Sequence, residues 1–164
     1  MAVVLVEGIT DRIALEAVAA KLGRDLAADG IEVVPIGGAQ AIRRAAEQYE
    51  GERVVGLCDV GEERWFLRVL GDATFVCVAD LEDELIRALG VARVEEVVAA
   101  AGDLETFRNF QNQPAWRGRP VEAQLHRWLQ ASDRRNARYP PLLIATLEPE
   151  QIPRPLADVL AAAG

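Results

Sequence analysis

Three apolar segments of the sequence are followed by acidic residues that could together bind a cation. Glu7 follows VVLV and precedes Asp11 by four residues, Asp59 ends RVVGLCD, and Asp80 and Glu82 follow TFVCVA. Carboxylates held close together repel each other unless a cation lies between them, and Mg²⁺ prefers oxygen ligands. Each acid alone has a plainer explanation, as a solvated strand end or as a complement to a helix dipole. Three acidic strand ends together indicate a divalent-metal site.

The elements that must position these acids alternate between strands and helices. Strands are expected near residues 2–7, 31–36, 53–59 and 74–79, with a helix-forming segment after each of them. This alternation predicts an α/β fold with a mainly parallel four-stranded sheet flanked by helices. Because ligands bind at the carboxyl ends of parallel strands, we expect the acids to meet at one rim of the sheet.

The rest of the chain is predicted to be helical. We therefore divide the 164 residues into an α/β core at 1–90 and a helical C-terminal extension at 91–164, packed on the core as one compact unit. In this extension the proline pair Pro140-Pro141 is expected to open a short helix, because proline fits the first turn of a helix. A final helix is expected after Pro153.

The charge of the chain is unevenly distributed. The net charge is −8, and residues 1–90 carry nine Lys and Arg against 17 Asp and Glu, whereas residues 91–164 carry nine of each. This balance argues against broad nonspecific binding to nucleic acid. It leaves open a phosphodiester substrate, because divalent metals can invert the local sign of an acidic cluster.

Neither a membrane span nor a signal peptide is predicted, so we expect a cytoplasmic protein without a membrane partner. Cys58 and Cys77 lie in predicted strands and are expected to be reduced core thiols. His126 is the only histidine, which excludes a metal site built from several histidines, and a structural or surface role is expected for it.

Two further segments have residue types that can contact phosphate. The glycine pair Gly37-Gly38 lies between a strand and a helix, where its N–H groups could bind a phosphate or simply form a tight turn. Arg134, Arg135 and Arg138 lie in the segment SDRRNARY, among several aromatic residues. Such a mixture can follow a nucleic-acid backbone, and it is also typical of a solvated helical face whose aromatics are core.

The order strand–EGxxD–helix, a strand–helix pair, a strand ending in aspartate and another ending in an acidic group resembles the Toprim domain. It is most similar to the nuclease domain of the overcoming-lysogenisation-defect (OLD) family. The segments that carry the resemblance are VEGITDRIALEAVAAKLGRDLAADGIEVVPIGG, VVGLCDVGEE and VADLEDELIRALG. The resemblance covers residues 3–90 well and the helical remainder more loosely.

The resemblance implies roles for individual residues. Glu7 and Asp11 match the first acidic motif, which coordinates metal and does acid–base work, and Asp59 matches the first aspartate of the DxD motif. Glu82, with Asp80 beside it, matches the acid that helps to hold a metal after the fourth strand. Arg134 or Arg135 stands where the family has a basic catalytic residue, and we select Arg135 as the catalytic candidate.

The sequence also departs from the family pattern. Gly61 occupies the position of the second DxD aspartate, although Glu62 or Glu63 could reach the same space, and the C-terminal part contains no lysine. Arginine can bind phosphate in a bidentate manner but is a poor proton donor. The resemblance also implies an ABC-type ATPase, which accompanies the Toprim domain in OLD nucleases. No Walker motif is present in this sequence, so we expect such an ATPase either to act in trans or to be absent.

These observations favour a nuclease that uses Mg²⁺ or Mn²⁺ to act on DNA phosphodiesters. The main alternative is a non-catalytic Toprim module that binds metal or nucleic acid or joins a separate ATPase. Nucleotidyl transfer uses the same metal chemistry but has no template-binding segment to support it. The candidate partners are DNA, an ABC-type ATPase and a second copy of the chain.

Overall fold

The protein contains one four-stranded parallel sheet, as a computed structural model describes for residues 1–164. The strand order is β2-β1-β3-β4 and all three strand pairs are parallel. The strands are β1 (Ala2–Val6), β2 (Ile31–Pro35), β3 (Arg53–Asp59) and β4 (Thr74–Cys77). The predicted α/β class and the four predicted strands are therefore confirmed, with β4 ending two residues earlier than expected.

Nine α-helices surround the sheet. They are α1 (Ile9–Lys21), α2 (Ile42–Gln48), α3 (Glu63–Leu70), α4 (Leu81–Leu89), α5 (Val91–Ala100), α6 (Leu104–Gln111), α7 (Val121–Gln130), α8 (Asp133–Thr146) and α9 (Arg154–Ala163). Every helix is too short or too polar to span a membrane.

The two faces of the sheet pack against different helices because successive side chains of a strand point to opposite faces. Val3 and Leu5 of β1 pack with residues of α2 and α3 in a small cluster of seven buried residues. Val4 and Val6 belong to the main core of 31 buried residues, to which α1, α4 to α9 and the sheet contribute. The C-terminal helices thus complete the core of the α/β unit, and α9 packs directly on β1, β3 and β4.

The prediction that a short helix begins at the proline pair is wrong. Helix α8 begins seven residues earlier, at Asp133, and contains Pro140 and Pro141 in its interior. The Ser132 hydroxyl accepts a hydrogen bond from the Arg135 N–H (3.4 Å) and caps the helix. The prolines remove two backbone donors, but Pro140 is buried in a face that packs along α1, so tertiary packing overrides the local signal.

Both cysteines are free and buried within β3 and β4, as predicted. Burial raises the pKa of the Cys58 thiol to about 12. The thiol is therefore protonated at neutral pH and is a core group rather than a nucleophile.

Candidate functional site

The two central strands bring Glu7 and Asp59 together at the carboxyl edge of the sheet. Glu7 directly follows β1, and Asp59 is the last residue of the neighbouring strand β3. The Asp59 backbone N–H donates a hydrogen bond to Glu7 Oε1 at 2.9 Å. This bond holds the two acidic residues side by side at the same edge of the sheet, so the predicted convergence of Glu7 and Asp59 is observed.

Asp11 lies in the first turn of α1, where its side chain both caps the helix and lines a cleft. Its Oδ2 accepts a hydrogen bond from the Gly8 N–H at 2.9 Å, so Asp11 does cap the helix, as the plainer explanation requires. Asp11 also lines a cleft with Asp59 and Glu82. The capping bond uses one carboxylate oxygen and leaves the other, Oδ1, for a ligand.

Asp80 and Glu82 reach the site from the beginning of α4. Asp80 is the N-cap residue, and its Oδ1 accepts the Asp83 N–H at 2.9 Å. Asp80 Oδ2 contacts His126 Nε2 at 2.6 Å and accepts a hydrogen bond from Gln130 Nε2 at 3.1 Å. Both Asp80 oxygens are therefore engaged by the protein. The same Gln130 amide donates to Glu82 Oε2 at 3.2 Å.

The acids enclose a cleft of about 230 Å³ that contains no cationic side chain. It is lined by Thr10, Asp11, Asp59, Leu81, Glu82, Gln130 and Asn136. The Oδ1 atom of Asn136 is buried without a hydrogen-bond partner. Buried polar atoms usually have partners, so an acceptor left unsatisfied beside a carboxylate cluster is a place where a bound ligand or its water would donate.

The electrostatics of the cleft reflect burial and mutual repulsion. Burial, followed by the charges of Glu7, Asp11, Asp80 and Glu82, raises the pKa of Asp59 to about 8. Burial likewise raises the pKa of Asp11 to about 6 and raises the pKa of Glu7 and Glu82. The cluster is therefore electrostatically costly when ionised, and a bound cation would relieve that cost.

The donor set fits a divalent cation in its chemistry but is not arranged around an ion. No three acidic, histidine or cysteine side chains lie close enough to share one metal. Glu7 Oε1 and Asp11 Oδ2 are held by backbone amides. Hard oxygen donors without an opposing Lys or Arg suit Mg²⁺ or Mn²⁺, and the side chains would have to move to gather around one ion.

Gly61, at the position of the second DxD aspartate, has free space around it. Gly61 is exposed in the turn between β3 and α3, and a Cβ atom added there would meet no heavy atom within 4 Å. The charge of Glu62 contributes to the raised pKa of Glu7. Glu62 therefore supplies some of the negative charge that an aspartate at residue 61 would bring.

Gly37 and Gly38 direct their N–H groups to the protein itself. Both donate to the Glu7 carbonyl oxygen, at 3.1 and 3.2 Å, with positive φ angles of 75° and 115°. These bonds favour the tight-turn interpretation over phosphate binding. The turn fixes the backbone at the end of β1, and in that way it helps to position the Glu7 side chain.

The structure separates the candidate arginines from the acidic cleft. The Arg135 guanidinium lies over the Trp128 ring at 4.5 Å. Burial lowers the pKa of Arg135, and the charge of Asp103 partly offsets this effect. Arg138 donates to Asp103 Oδ2 at 3.3 Å and to the Ala101 carbonyl at 3.2 Å. Arg134 is exposed and does not line the cleft. Arg135 does not line the cleft, whereas the next residue, Asn136, does, because adjacent residues on a helix face different directions. A catalytic role for Arg135 stays a prediction.

Sequence reasoning missed three polar residues of the site, namely Gln130, Asn136 and the role of His126 as the partner of Asp80. His126 and Gln130 are four residues apart on α7, so they lie on one helix face. That spacing was visible in the sequence. What it could not reveal was that this face of α7 packs beside the start of α4.

Comparisons with known proteins agree with this architecture. Residues 1–54 match the family model described as "Overcoming lysogenization defect protein-like, TOPRIM domain". The C-terminal region of the Burkholderia pseudomallei OLD protein superimposes with a TM-score of 0.72 at 17% identity, over 99% of this chain and 96% of that one. The fold is that of an OLD-type Toprim domain.

A second solved structure supports the same conclusion. The C-terminal region of the Xanthomonas campestris pv. campestris OLD protein has a TM-score of 0.70 at 20% identity, covering 99% of this chain and 93% of that one. The similarity therefore includes the C-terminal helices as well as the Toprim sheet. No curated protein matches the chain. The predicted resemblance to the OLD-family Toprim domain is confirmed.

Proposed function

We propose that this Toprim protein is a divalent-metal-dependent nuclease that cleaves DNA phosphodiester bonds. The observation that carries the proposal is that Asp11, Asp59 and Glu82 line one cleft without any Lys or Arg, while Glu7 accepts a hydrogen bond from the Asp59 backbone beside it. Burial and then the charges of the neighbouring acids raise the pKa of Asp59 to about 8, so ionising the whole set is unfavourable without a cation. A divalent cation is the simplest partner for such a set.

In this proposal Glu7, Asp11, Asp59 and Glu82 hold Mg²⁺ or Mn²⁺, which supplies charge neutralisation at a phosphate and lowers the pKa of a water. The protein contributes positioning. The Asp59 amide fixes Glu7, and the Gln130 amide fixes Glu82. The unpartnered Asn136 Oδ1 can accept a hydrogen bond from a water or substrate group that enters the cleft.

A non-catalytic Toprim module is the second candidate, and two observations favour it. Gly61 removes one carboxylate of the DxD motif, and no Lys or Arg lines the cleft to stabilise a developing phosphate charge. Such a module would bind metal or DNA, or join an ABC-type ATPase supplied as a separate chain. In either case we place the protein in the cytoplasm, and self-association is a further proposal. Nucleotidyl transfer has no structural feature in its favour.

Nicking of supercoiled plasmid DNA tests the enzyme. We expect slow nicking that is stronger in Mn²⁺ than in Mg²⁺, because Mn²⁺ tolerates irregular ligand sets better. A chelator should stop it, and ATP should not affect it, since the sequence has no Walker motif. Glu7→Ala should remove the activity by deleting a ligand that joins β1 to β3.

Gly61→Asp separates the two candidates. The exposed position accepts a side chain without a clash, so the variant should restore a ligand and increase nicking, most clearly in Mg²⁺. Gly61→Asn is the matched control, because it adds the same volume without the charge. If wild type and Gly61→Asp both leave the plasmid intact in either metal, the nuclease proposal fails and the binding module stands.

A further inference from the structure

A second cleft, basic and aromatic, adjoins the acidic one. It has a volume of about 540 Å³ and lies between α4 and α7, with Arg87, Trp116, Arg119, His126 and Arg127 among the residues of its wall. Gln130 lines both clefts. The two clefts are therefore neighbours that share a side chain, and that side chain also holds Asp80 and Glu82.

Two of the cleft's three arginines are free of acidic partners. Arg87 is paired with Asp83 at 2.7 Å and with Glu84 at 3.1 Å. Arg119 and Arg127 are exposed and take part in none of the salt bridges of the structure.

The acids in the wall of this cleft do not cancel its positive charge. They are Asp83, which is neutralised by Arg87, and Glu122, which is exposed. Two unpaired arginines against one unpaired glutamate leave a positive wall beside a negative site.

Aromatic stacking holds one of these cations in place. The Arg119 guanidinium lies over the Trp116 ring at 5.1 Å, and Trp116 stacks on Phe110 with 5.2 Å between ring centroids and 29° between planes. A guanidinium oriented by an aromatic ring loses less side-chain entropy when it binds phosphate. Arg119 is therefore prepared to bind an anion at the rim of this cleft.

We propose that the basic cleft binds the DNA backbone next to the phosphodiester that occupies the acidic cleft. The inference rests on the proposed function and extends it to the strand on one side of the scissile bond. Each nucleotide carries a negative charge, and the acidic cleft has no Lys or Arg to hold the neighbouring phosphates. Arg119 and Arg127 supply that charge at the adjoining wall, with Gln130 at the boundary.

The test is DNA binding without cleavage. The probes are a short fluorescein-labelled single strand and its duplex, titrated with the 164-residue protein in Ca²⁺ and followed by fluorescence anisotropy. The Arg119→Gln, Arg127→Gln double variant should bind at least about tenfold more weakly at low salt. For the single strand, the slope of log affinity against log salt concentration should fall in magnitude by about 1.4, the value for two lost phosphate contacts. Arg119→Lys with Arg127→Lys should retain most of the affinity.

Arg43→Gln with Arg44→Gln is the matched control. It removes the same charge from two exposed arginines of α2, on the opposite face of the sheet. The proposal is overturned if the control weakens binding as much as the cleft variant, if the cleft variant binds like wild type, or if wild type binds neither probe. If DNA binding depends on the cleft arginines but the protein nicks no plasmid, the nuclease proposal fails and the proposal for the basic cleft stands. If the protein nicks plasmid but its DNA binding does not depend on these arginines, the proposal for the basic cleft fails and the nuclease proposal stands.

Discussion

Gln130 is the neutral side chain on which the geometry of the acidic residues of α4 depends. Its single amide nitrogen donates to Asp80 at 3.1 Å and to Glu82 at 3.2 Å. Asp80 has both oxygens engaged, by the Asp83 N–H on one side and by His126 and Gln130 on the other. Asp80 is thus suited to positioning its neighbours, and Glu82 is better suited to ligate a metal.

Replacing Gln130 should weaken metal binding more than it weakens the fold. Gln130→Leu keeps the approximate volume but removes the hydrogen bonds that orient Glu82. Loss of such an outer partner typically costs 10–100-fold in metal affinity, and we expect a decrease of about that size. Isothermal titration with Mn²⁺ measures it. Gln113→Leu, at an exposed position that lines neither cleft, is the control and should bind Mn²⁺ like wild type. Equal affinities in both variants would contradict the positioning role.

At the scale of elements, the close approach of α3 to β3 fixes the strand that carries Asp59. Gly56 is buried in β3, and a Cβ atom there would meet Leu70 Cδ1 at 2.6 Å and Phe66 Cδ1 at 2.7 Å. Its backbone conformation is an ordinary one for a strand, so glycine is needed for space rather than for φ. The absent side chain lets the apolar residues of α3 pack directly on the sheet.

Gly56→Ala should therefore destabilise the protein. The added methyl group forces Phe66 or the helix to move, and overpacking of this kind typically costs about 1–3 kcal/mol in the free energy of unfolding. Urea denaturation followed by circular dichroism measures the change. Gly61→Ala, where the new methyl group meets nothing within 4 Å, should leave the midpoint nearly unchanged. A Gly56→Ala protein as stable as wild type would show that α3 is loosely packed.

At the scale of the whole molecule, the net charge of −8 has a defined internal arrangement. The acidic surplus lies in residues 1–90, and several of its members meet at the carboxyl edge of the sheet. The C-terminal helices are neutral overall, yet they present unpaired arginines on the adjoining cleft. The molecule therefore combines a site that attracts cations with a neighbouring wall that attracts anions.

The acidic cluster should make the metal-free protein less stable as pH rises. The pKa values of Asp59 and Asp11 rise from 3.8 to about 8 and about 6 in the folded state. The folded state thus holds protons that the unfolded chain releases, so the free energy of unfolding falls between about pH 4 and pH 8. Urea midpoints measured with a chelator at pH 5 and pH 8 should show this fall. Glu7→Gln with Asp59→Asn should flatten it.

Mn²⁺ should restore the stability that the protein loses at pH 8. A cation that binds only the folded state raises the melting temperature through mass action, and Mn²⁺ should do so in wild type but not in the Glu7→Gln, Asp59→Asn protein. The same shift in both proteins would show that Mn²⁺ acts elsewhere on the acidic surface.

Local sequence determined the strands and therefore much of the acidic site. Four apolar runs separated by helix-forming segments define a parallel sheet, because such connections leave every strand pointing in the same direction. The residues that end neighbouring strands then meet at one edge, which is why Glu7 and Asp59 could be paired from the sequence. The EGxxD spacing placed Asp11 in the first turn of α1 for the same local reason.

The residues that complete the site were decided by tertiary structure. Whether Arg135 or Asn136 faces the acids depends on the rotation of α8, and that rotation is set by burial of Tyr139, Pro140, Leu143 and Ile144 rather than by the local proline signal. Likewise, Gln130 reaches Glu82 only because α7 packs beside α4. Helix packing joins residues that are 48 positions apart in the chain, and no local pattern carries that information.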